Sequence, residues 1–382
     1  MKRTVWKTVL SILAVLLLCS GCATQFTNPI VDDSAEAVKP AADPIGAALQ
    51  STQPPVEPEI EPTEAPTLAP TQAPTQTEPE QAAPDGKGVV QFTIVLHLEG
   101  WDDGNKQISF QKHAEQLREY ADLFERYGAK MTLESKEIID GCINWNDNVL
   151  LELQGRGHAV GIHADAGGEQ NASVRSITRT LSKMRAKLLT LGIDATFASG
   201  TASKANWVQA CEQAGIDTVS CMVAYGLWSL DPALRPEGFE PYRTPADGHA
   251  PYPFEWEQRV QPWLMDDGSN WILPDPNGSV LLIPTGLSLN GASEELNGER
   301  VHESELTQAD IDAWESILPR VVAASDSREV NTFYAVWSFG KAVDLETLEH
   351  WLQLIDEYVQ AGSLRWSTIP EMAALYRTSL EQ

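Results

Sequence analysis

The hydrophobic pattern changes period repeatedly along residues 89–382. VVQFTIVLHLE (89–99) is apolar and β-branched without alternation, the pattern of a strand covered on both faces. Residues 108–127 then place Phe110, Ala114, Leu117, Ala121, Phe124 and Tyr127 three and four apart, which predicts an amphipathic helix stopped by Gly128. AKMTL (129–133) reads as a second strand. The alternation continues with a helix near 147–155, a strand at 158–163, a helix at 172–191, a strand at 195–199, a helix at 203–214 and a strand at 217–222. A loop-rich stretch, 225–279, carries proline, glycine and four tryptophans. Beyond it the pattern predicts a strand at 279–284, a helix at 307–324, a strand at 331–337, a helix at 344–360, the strand SLRW (363–366) and a last helix from 368.

Strands alternating with helices of this length imply parallel strands joined by crossover helices. About eight such units over ~290 residues fit an α/β fold of the (β/α) barrel kind, complete or slightly open, with seven to eight parallel strands. Chemistry in such barrels sits at the carboxyl ends of the strands, so those ends are the places to inspect.

The segment before residue 89 has a different character. Lys2, Arg3 and Lys7 precede an apolar run from Val9 to Cys19, and at about 11 residues that run is too short to span a ~30 Å hydrocarbon core. It reads as the h-region of a signal peptide, residues 1–21. LCSGC resembles a lipobox, which implies lipidation of Cys22 and an extracytoplasmic protein anchored to a bacterial membrane, or secreted if Cys22 stays unmodified. Residues 22–88 hold 12 of the 24 prolines, with PTEAPTLAPTQAPTQTEPEQ as the clearest repeat. Such a stretch cannot bury enough apolar surface to offset its ordering entropy, and spaced prolines favour extended segments. A disordered Pro/Thr/Glu-rich tether is expected there, followed by one folded domain at 89–382.

Charge narrows the partners. Of the net −27, the tether holds −9 and residues 1–21 hold +3, which leaves −21 on the domain. A field of that sign disfavours nucleic acid and polyanions and suits a neutral or cationic ligand. No feature singles out a protein partner. Three cysteines fall in the domain, Cys142, Cys211 and Cys221. A Cys211–Cys221 disulfide is permitted outside the cytoplasm, and no CxxC spacing suggests a metal.

Candidate chemistry gathers at two strand ends. In HLEGWDDG (97–104), His97 and Glu99 lie two apart on a strand and so point to one side, with Asp102 and Asp103 just beyond. In GRGHAVGIHADAGG (155–168), His163 closes the third strand and would face the same mouth. His97, Glu99 and His163 form a two-histidine, one-carboxylate set suited to Zn²⁺ or another divalent ion. The alternative for these residues is an interior histidine and a glutamate paired with a cation.

Read with their neighbours, these segments resemble the NodB-type polysaccharide deacetylases. ADLFERYGAKMTLESKEII resembles the family's "YGVKATFF" segment, and LLELQGRGHAVGIHADAG its "GHEIGNHTYSH" segment. FASGTASKANWVQACEQAGIDTV is similar to the "RPPYG" segment and its helix, and SLRWSTIPEMAALY to the closing stretch. The resemblance covers nearly all of 89–382. It implies a deformed (β/α) barrel and metal-dependent removal of acetyl groups from glycans.

The site motifs depart from that pattern. Glu99 stands where the family has its catalytic base, Gly100 where it has a metal aspartate, and Gly167 where a second histidine follows His163 by four. ASGTAS replaces the arginine segment, and Trp337 and Ser338 stand where the family supplies a histidine acid. One expectation is a rebuilt site: His97 in place of the lost aspartate, His163 retained, and Glu99, Asp102 or Asp103 as ligand or base. Asp247 and His249 could supply an acid from the long loop or be a surface turn. A second expectation is an inactive, glycan-binding or envelope-scaffolding lipoprotein. Trp228, Tyr242, Tyr252, Trp256, Trp263 and Trp271 suit sugar stacking, or else form the long loop's own small core. A third, a sugar hydrolase with paired carboxylates, has only Glu99 with Asp102 or Asp103 to build on.

Overall fold

Val90–Leu98 forms β1, buried along nearly its whole length as its unbroken apolar run requires. The computed structural model describes residues 87–166, 172–220, 224–235, 259–284, 286–297, 305–339 and 343–381. The signal segment, the tether up to residue 86 with Cys22, and Gly167, Cys221, Tyr242, Asp247, His249, Tyr252 and Trp256 lie outside the described residues.

The strands after β1 are β2 (Met131–Ser135), β3 (Ala159–His163), β4 (Phe197–Ser199), β5 (Thr218–Val219), β6 (Trp263–Met265), β7 (Val280–Leu282), β8 (Leu287–Ser288), β9 (Asn331–Ser338) and β10 (Leu364–Trp366). They form one sheet in the order β6-β7-β5-β4-β3-β2-β1-β9-β8, with β10 beside the first residues of β1. Every pairing is parallel except β6 with β7. The fold is thus the mostly parallel α/β arrangement that the alternation predicts. Among the described residues the sheet does not close, because β6 and β8 end the path unpaired with each other.

The crossover helices are α1 (Gln107–Glu125), α2 (Glu137–Trp145), α3 (Val149–Gly155), α4 (Val174–Thr190), α5 (Trp207–Ala214), α6 (Ala292–Leu296), α7 (Gln308–Ala324), α8 (Leu345–Gln360) and α9 (Ile369–Ser379). Three begin on capping boxes that satisfy their first N–H groups: Ser173 with Ser176, Thr307 with Asp310, and Thr368 with Glu371. The hydrophobic pattern did not predict α2, α6, β6 or β8. α2 is only nine residues long, and its buried face, Ile138, Ile139 and Cys142, is too brief to show a period.

The two faces of the sheet bury different layers. Outside, Phe92, Trp314, Phe333, Trp351 and Trp366 meet between sheet and helices with ring centroids 5.4–6.5 Å apart, mostly edge to face. The other face carries Val95, Phe197, Leu281, Ile283 and Tyr334, covered by Ile369, Met372 and Ala373 of α9. Below that layer Thr93 and Thr132 meet at 3.2 Å, and the Ile369 N–H donates to Thr132. His97 lies two residues beyond Val95 on β1. It therefore tops this interior column at the carboxyl end of the strands.

Two of the expected sugar-stacking tryptophans belong instead to the core. Trp271 is fully buried and Trp263 nearly so. The Trp263 indole donates to the Trp271 carbonyl, and the Trp271 indole to the Gly226 carbonyl, each at 2.8 Å. Trp271 also stands edge-on to Trp207 at 6.0 Å. These bonds tie the long stretch to the domain and leave neither ring face for a ligand. Trp228 is half-buried, with the Lys204 ammonium 4.4 Å from its ring centroid.

Candidate metal centre

Strand register builds the site. His97 on β1 pairs with Glu134 on β2, and His163 on β3 with Ser199 on β4. Because Ala198 pairs with Val219, Ser199 lies level with Ser220 just beyond β5. Five adjacent strands each present one polar side chain at their carboxyl end. Ligand atoms of His97, Glu134 and His163 all lie within 4.8 Å of one another. The two imidazoles are 4.2 Å apart, centroid to centroid.

Glu134 is the residue that the sequence reading missed. Its carboxylate is completely buried. Oε1 accepts the Ser220 hydroxyl, and Oε2 lies 3.1 Å from His97 Nε2. That second contact is short but misaligned, so Oε2 has no well-directed donor. Burial alone would push Glu134 up, and His97, Ser199 and Ser220 more than offset it, leaving the carboxylate below its ordinary range. The reading AKMTL stopped one residue short. The available signal was an acid closing an apolar strand next to the strand of His97.

His163 is tied at both ring nitrogens. Nδ1 lies 2.8 Å from Ser199 Oγ and Nε2 lies 3.1 Å from Glu99 Oε2. Glu99 is more exposed than Glu134, at 29% against 0%. Burial alone would raise its pKa, but His163, His97 and Lys136 bring the group down to about 2. Lys136 also reaches Asp165 at 3.1 Å and Glu137 at 3.6 Å. Asp165 holds a left-handed φ of 42° two residues beyond His163. It is pinned there by Ala164 N–H to Ser199 O and Ala166 N–H to Gly200 O, at 2.9 and 2.8 Å.

The remaining sequence candidates are engaged elsewhere. Asp103 is fully buried and accepts from Ser109 at 2.8 Å and from His113 Nδ1 at 2.9 and 3.0 Å, which fastens the β1–α1 loop to α1. Asp102 accepts from Asn105 at 2.6 Å and pairs with Lys106 at 3.1 Å, a surface turn. Neither joins the three-residue group, and its carboxylate is Glu134 in place of Glu99. Cys211 is a free thiol, fully buried and pushed up to about 12 by that burial.

The donor set fits a divalent cation. Two imidazoles and one carboxylate suit Zn²⁺ and its neighbours. A buried carboxylate oxygen lacking a directed donor is the local feature that such an ion would satisfy.

No family model matches the sequence, and no curated protein does. Among solved structures, the chain is similar to a protein assigned as a polysaccharide deacetylase from Mycobacterium smegmatis. That match has 11% identity and TM-score 0.48 over 78% of this chain and 93% of the other. It is similar to another so assigned from Pseudomonas aeruginosa PAO1, at 11% identity and TM-score 0.49 over 76% and 91%. A further likeness is to Puue allantoinase, at 10% identity and TM-score 0.48 over 77% and 92%. Likenesses at this level carry no argument about chemistry, which rests on the residues described above.

Proposed function

We propose that the chain is a metal-dependent hydrolase that removes acetyl groups from a neutral or N-acetylated glycan, held outside the cell by lipid at Cys22. The observation that carries this reading is the convergence of His97, Glu134 and His163 on one buried locus at the carboxyl ends of β1, β2 and β3. A divalent cation held there would polarise an acyl carbonyl and make bound water more acidic. The chain's own groups divide the rest of the work. Glu134 has no path to solvent, so its part is to hold charge at the floor of the site. Ser220 fixes that carboxylate by a hydrogen bond to Oε1. Glu99, ionised and facing outward, accepts the proton of the attacking water. Lys136 steadies Glu99 from the rim at 3.7 Å.

A binding-only lipoprotein is the second reading, and one observation favours it. β9 ends in the fully buried Trp337 and in Ser338, so no histidine acid stands at that strand end.

The test is elemental analysis of the purified protein with acetate release from chitin oligomers, acetylated xylan and peptidoglycan. About one ion per chain, lost in His163→Ala and Glu134→Gln together with acetate release, is the expected result. Absence of stoichiometric metal after incubation with Zn²⁺, Co²⁺, Ni²⁺ and Mn²⁺ overturns the hydrolase. Metal without turnover leaves glycan binding.

A further inference from the structure

Strand register places a cation beside the proposed metal ligands. His97 pairs with Glu134, and Glu99 and Lys136 stand two residues beyond them, on the same side and at the height of His163. The contacts agree: Lys136 Nζ lies 3.7 Å from Glu99 Oε2, and that oxygen lies 3.1 Å from His163 Nε2. A single carboxylate oxygen therefore separates the ammonium from a ligand imidazole.

The Lys136 ammonium is only partly committed. Its backbone N–H donates to the Leu98 carbonyl at 3.2 Å, which ties the residue to β1. The ammonium has three hydrogens. Among the described residues Nζ makes one hydrogen bond, to Asp165 Oδ2 at 3.1 Å, while Glu99 Oε2 and Glu137 Oε1 attract it across 3.7 and 3.6 Å. Two hydrogens are thus left for a ligand, on a side chain that is 28% exposed. Asp165 is held in place to receive the third. Its φ of 42° is a conformation that favours glycine, and the Gly200 backbone packs so closely that a Cβ there would stand 2.5 Å from the Asp165 nitrogen.

The acceptor that suits those hydrogens is neutral. Glu99, Glu137 and Asp165 surround the ammonium with negative charge, which disfavours a carboxylate or phosphate ligand. An amide or ester carbonyl carries no charge, and its oxygen has two lone pairs, enough for an ammonium and a metal cation together. We infer that Lys136 contacts the substrate, donating a hydrogen bond to the acyl oxygen of an acetylated sugar, and that Asp165 is the positioning residue that aims it. This rests on the hydrolase reading proposed above and names the group that meets the acetyl moiety in the same site.

The test is calorimetric titration of the full chain, held in chelator so that no acetyl group is released. The ligands are chitin oligomers and acetylated xylan oligomers, each beside its deacetylated form. Lys136→Met keeps the apolar stem and removes the donors. It is expected to weaken the acetylated ligand about 10- to 100-fold, as loss of a hydrogen bond from a charged group does, and to leave the deacetylated form unchanged or tighter. Lys136→Arg, which keeps a charged donor, is expected to recover part of the loss. Asp165→Gly suits the left-handed backbone, so Tm should hold or rise while affinity for the acetylated form falls. Unchanged acetylated binding in Lys136→Met, or equal losses on both forms, overturns the contact. An Asp165→Gly variant that loses Tm and keeps its affinity overturns the positioning role. A wild-type chain that binds neither acetylated ligand also overturns the contact, and metal content by elemental analysis then decides the metal reading separately. Binding through Lys136 in a chain that takes up no Zn²⁺, Co²⁺, Ni²⁺ or Mn²⁺ upholds the contact and overturns the hydrolase.

Discussion

Replacing Gly161 with alanine tests whether the interior column holds the site in register. A Cβ built on Gly161 would meet the Phe197 ring at 2.5 Å from Cζ and 2.6 Å from Cδ2, with Cε2 closer still. Carbon atoms pack at about 3.5–4.0 Å, so the ring would have to retreat by roughly 1 Å or more. Phe197 is 2% exposed and belongs to a buried layer with Val95, Ala159, Leu281 and Tyr334. Overpacking of that kind costs about 1–3 kcal/mol. An unfolding entropy of about 2.1 cal/mol/K per residue gives roughly 0.6 kcal/mol/K for a domain of this size, so Tm should fall by about 2–5 °C. Phe197→Leu removes the offending ring atoms and leaves a void that the new methyl group partly fills. The double variant should therefore lose at least about 1 kcal/mol less than the sum of the two single losses. Calorimetry and urea unfolding of the four proteins measure this. A neutral Gly161→Ala, or costs that simply add, would refute the reasoning.

Other expectations follow from the same geometry. Zn²⁺ at 100 times its dissociation constant should stabilise the wild-type chain by about 2.7 kcal/mol, and Glu134→Gln should abolish the shift in a melting experiment. His158 accepts the Met131 N–H at Nδ1 (3.0 Å), and burial above all pushes its pKa below 6.5. The unfolded chain therefore takes the proton first, so stability is intact above pH 6.5 and falls as pH drops toward the lower folded value. His158→Asn, which keeps an acceptor and does not titrate, should flatten Tm between pH 7 and 5. Trp271→Ala should cost about 3–5 kcal/mol, whereas Trp228→Ala should cost far less and lower glycan affinity. Sugar binding that tracked Trp271 in a folded variant would contradict that division.

The strand–helix alternation was legible because long apolar strands and helices of 16 to 19 residues, such as α1 and α8, carry their period in the sequence. β6, β8 and α6 were not, being two to five residues long and fixed only by their partners. His97, Glu99 and His163 could be read from their places at strand ends. Glu134, next to last in β2, went unread because the apolar pattern ends at Leu133, one residue before it. Asp103 looked like chemistry because its burial partner, His113, is ten residues away on α1. The tryptophans misled for a related reason: an indole that stacks on sugar and one that pins a loop have the same composition signature, and only the N–H partner separates them.

The polar side chains at the strand ends stand in a stepped row: His97 is level with Glu134 and Gly161, and His163, two residues further along β3, is level with Ser199. Strand pairing fixes these positions whatever side chains stand on them, so a ligating group can pass from one strand to its neighbour without moving the backbone. Such a centre can keep its place in space while the linear string that spells it dissolves. Searching adjacent strand termini for acid, imidazole and hydroxyl within two residues of one height would find arrangements of this kind that consecutive-residue signatures pass over.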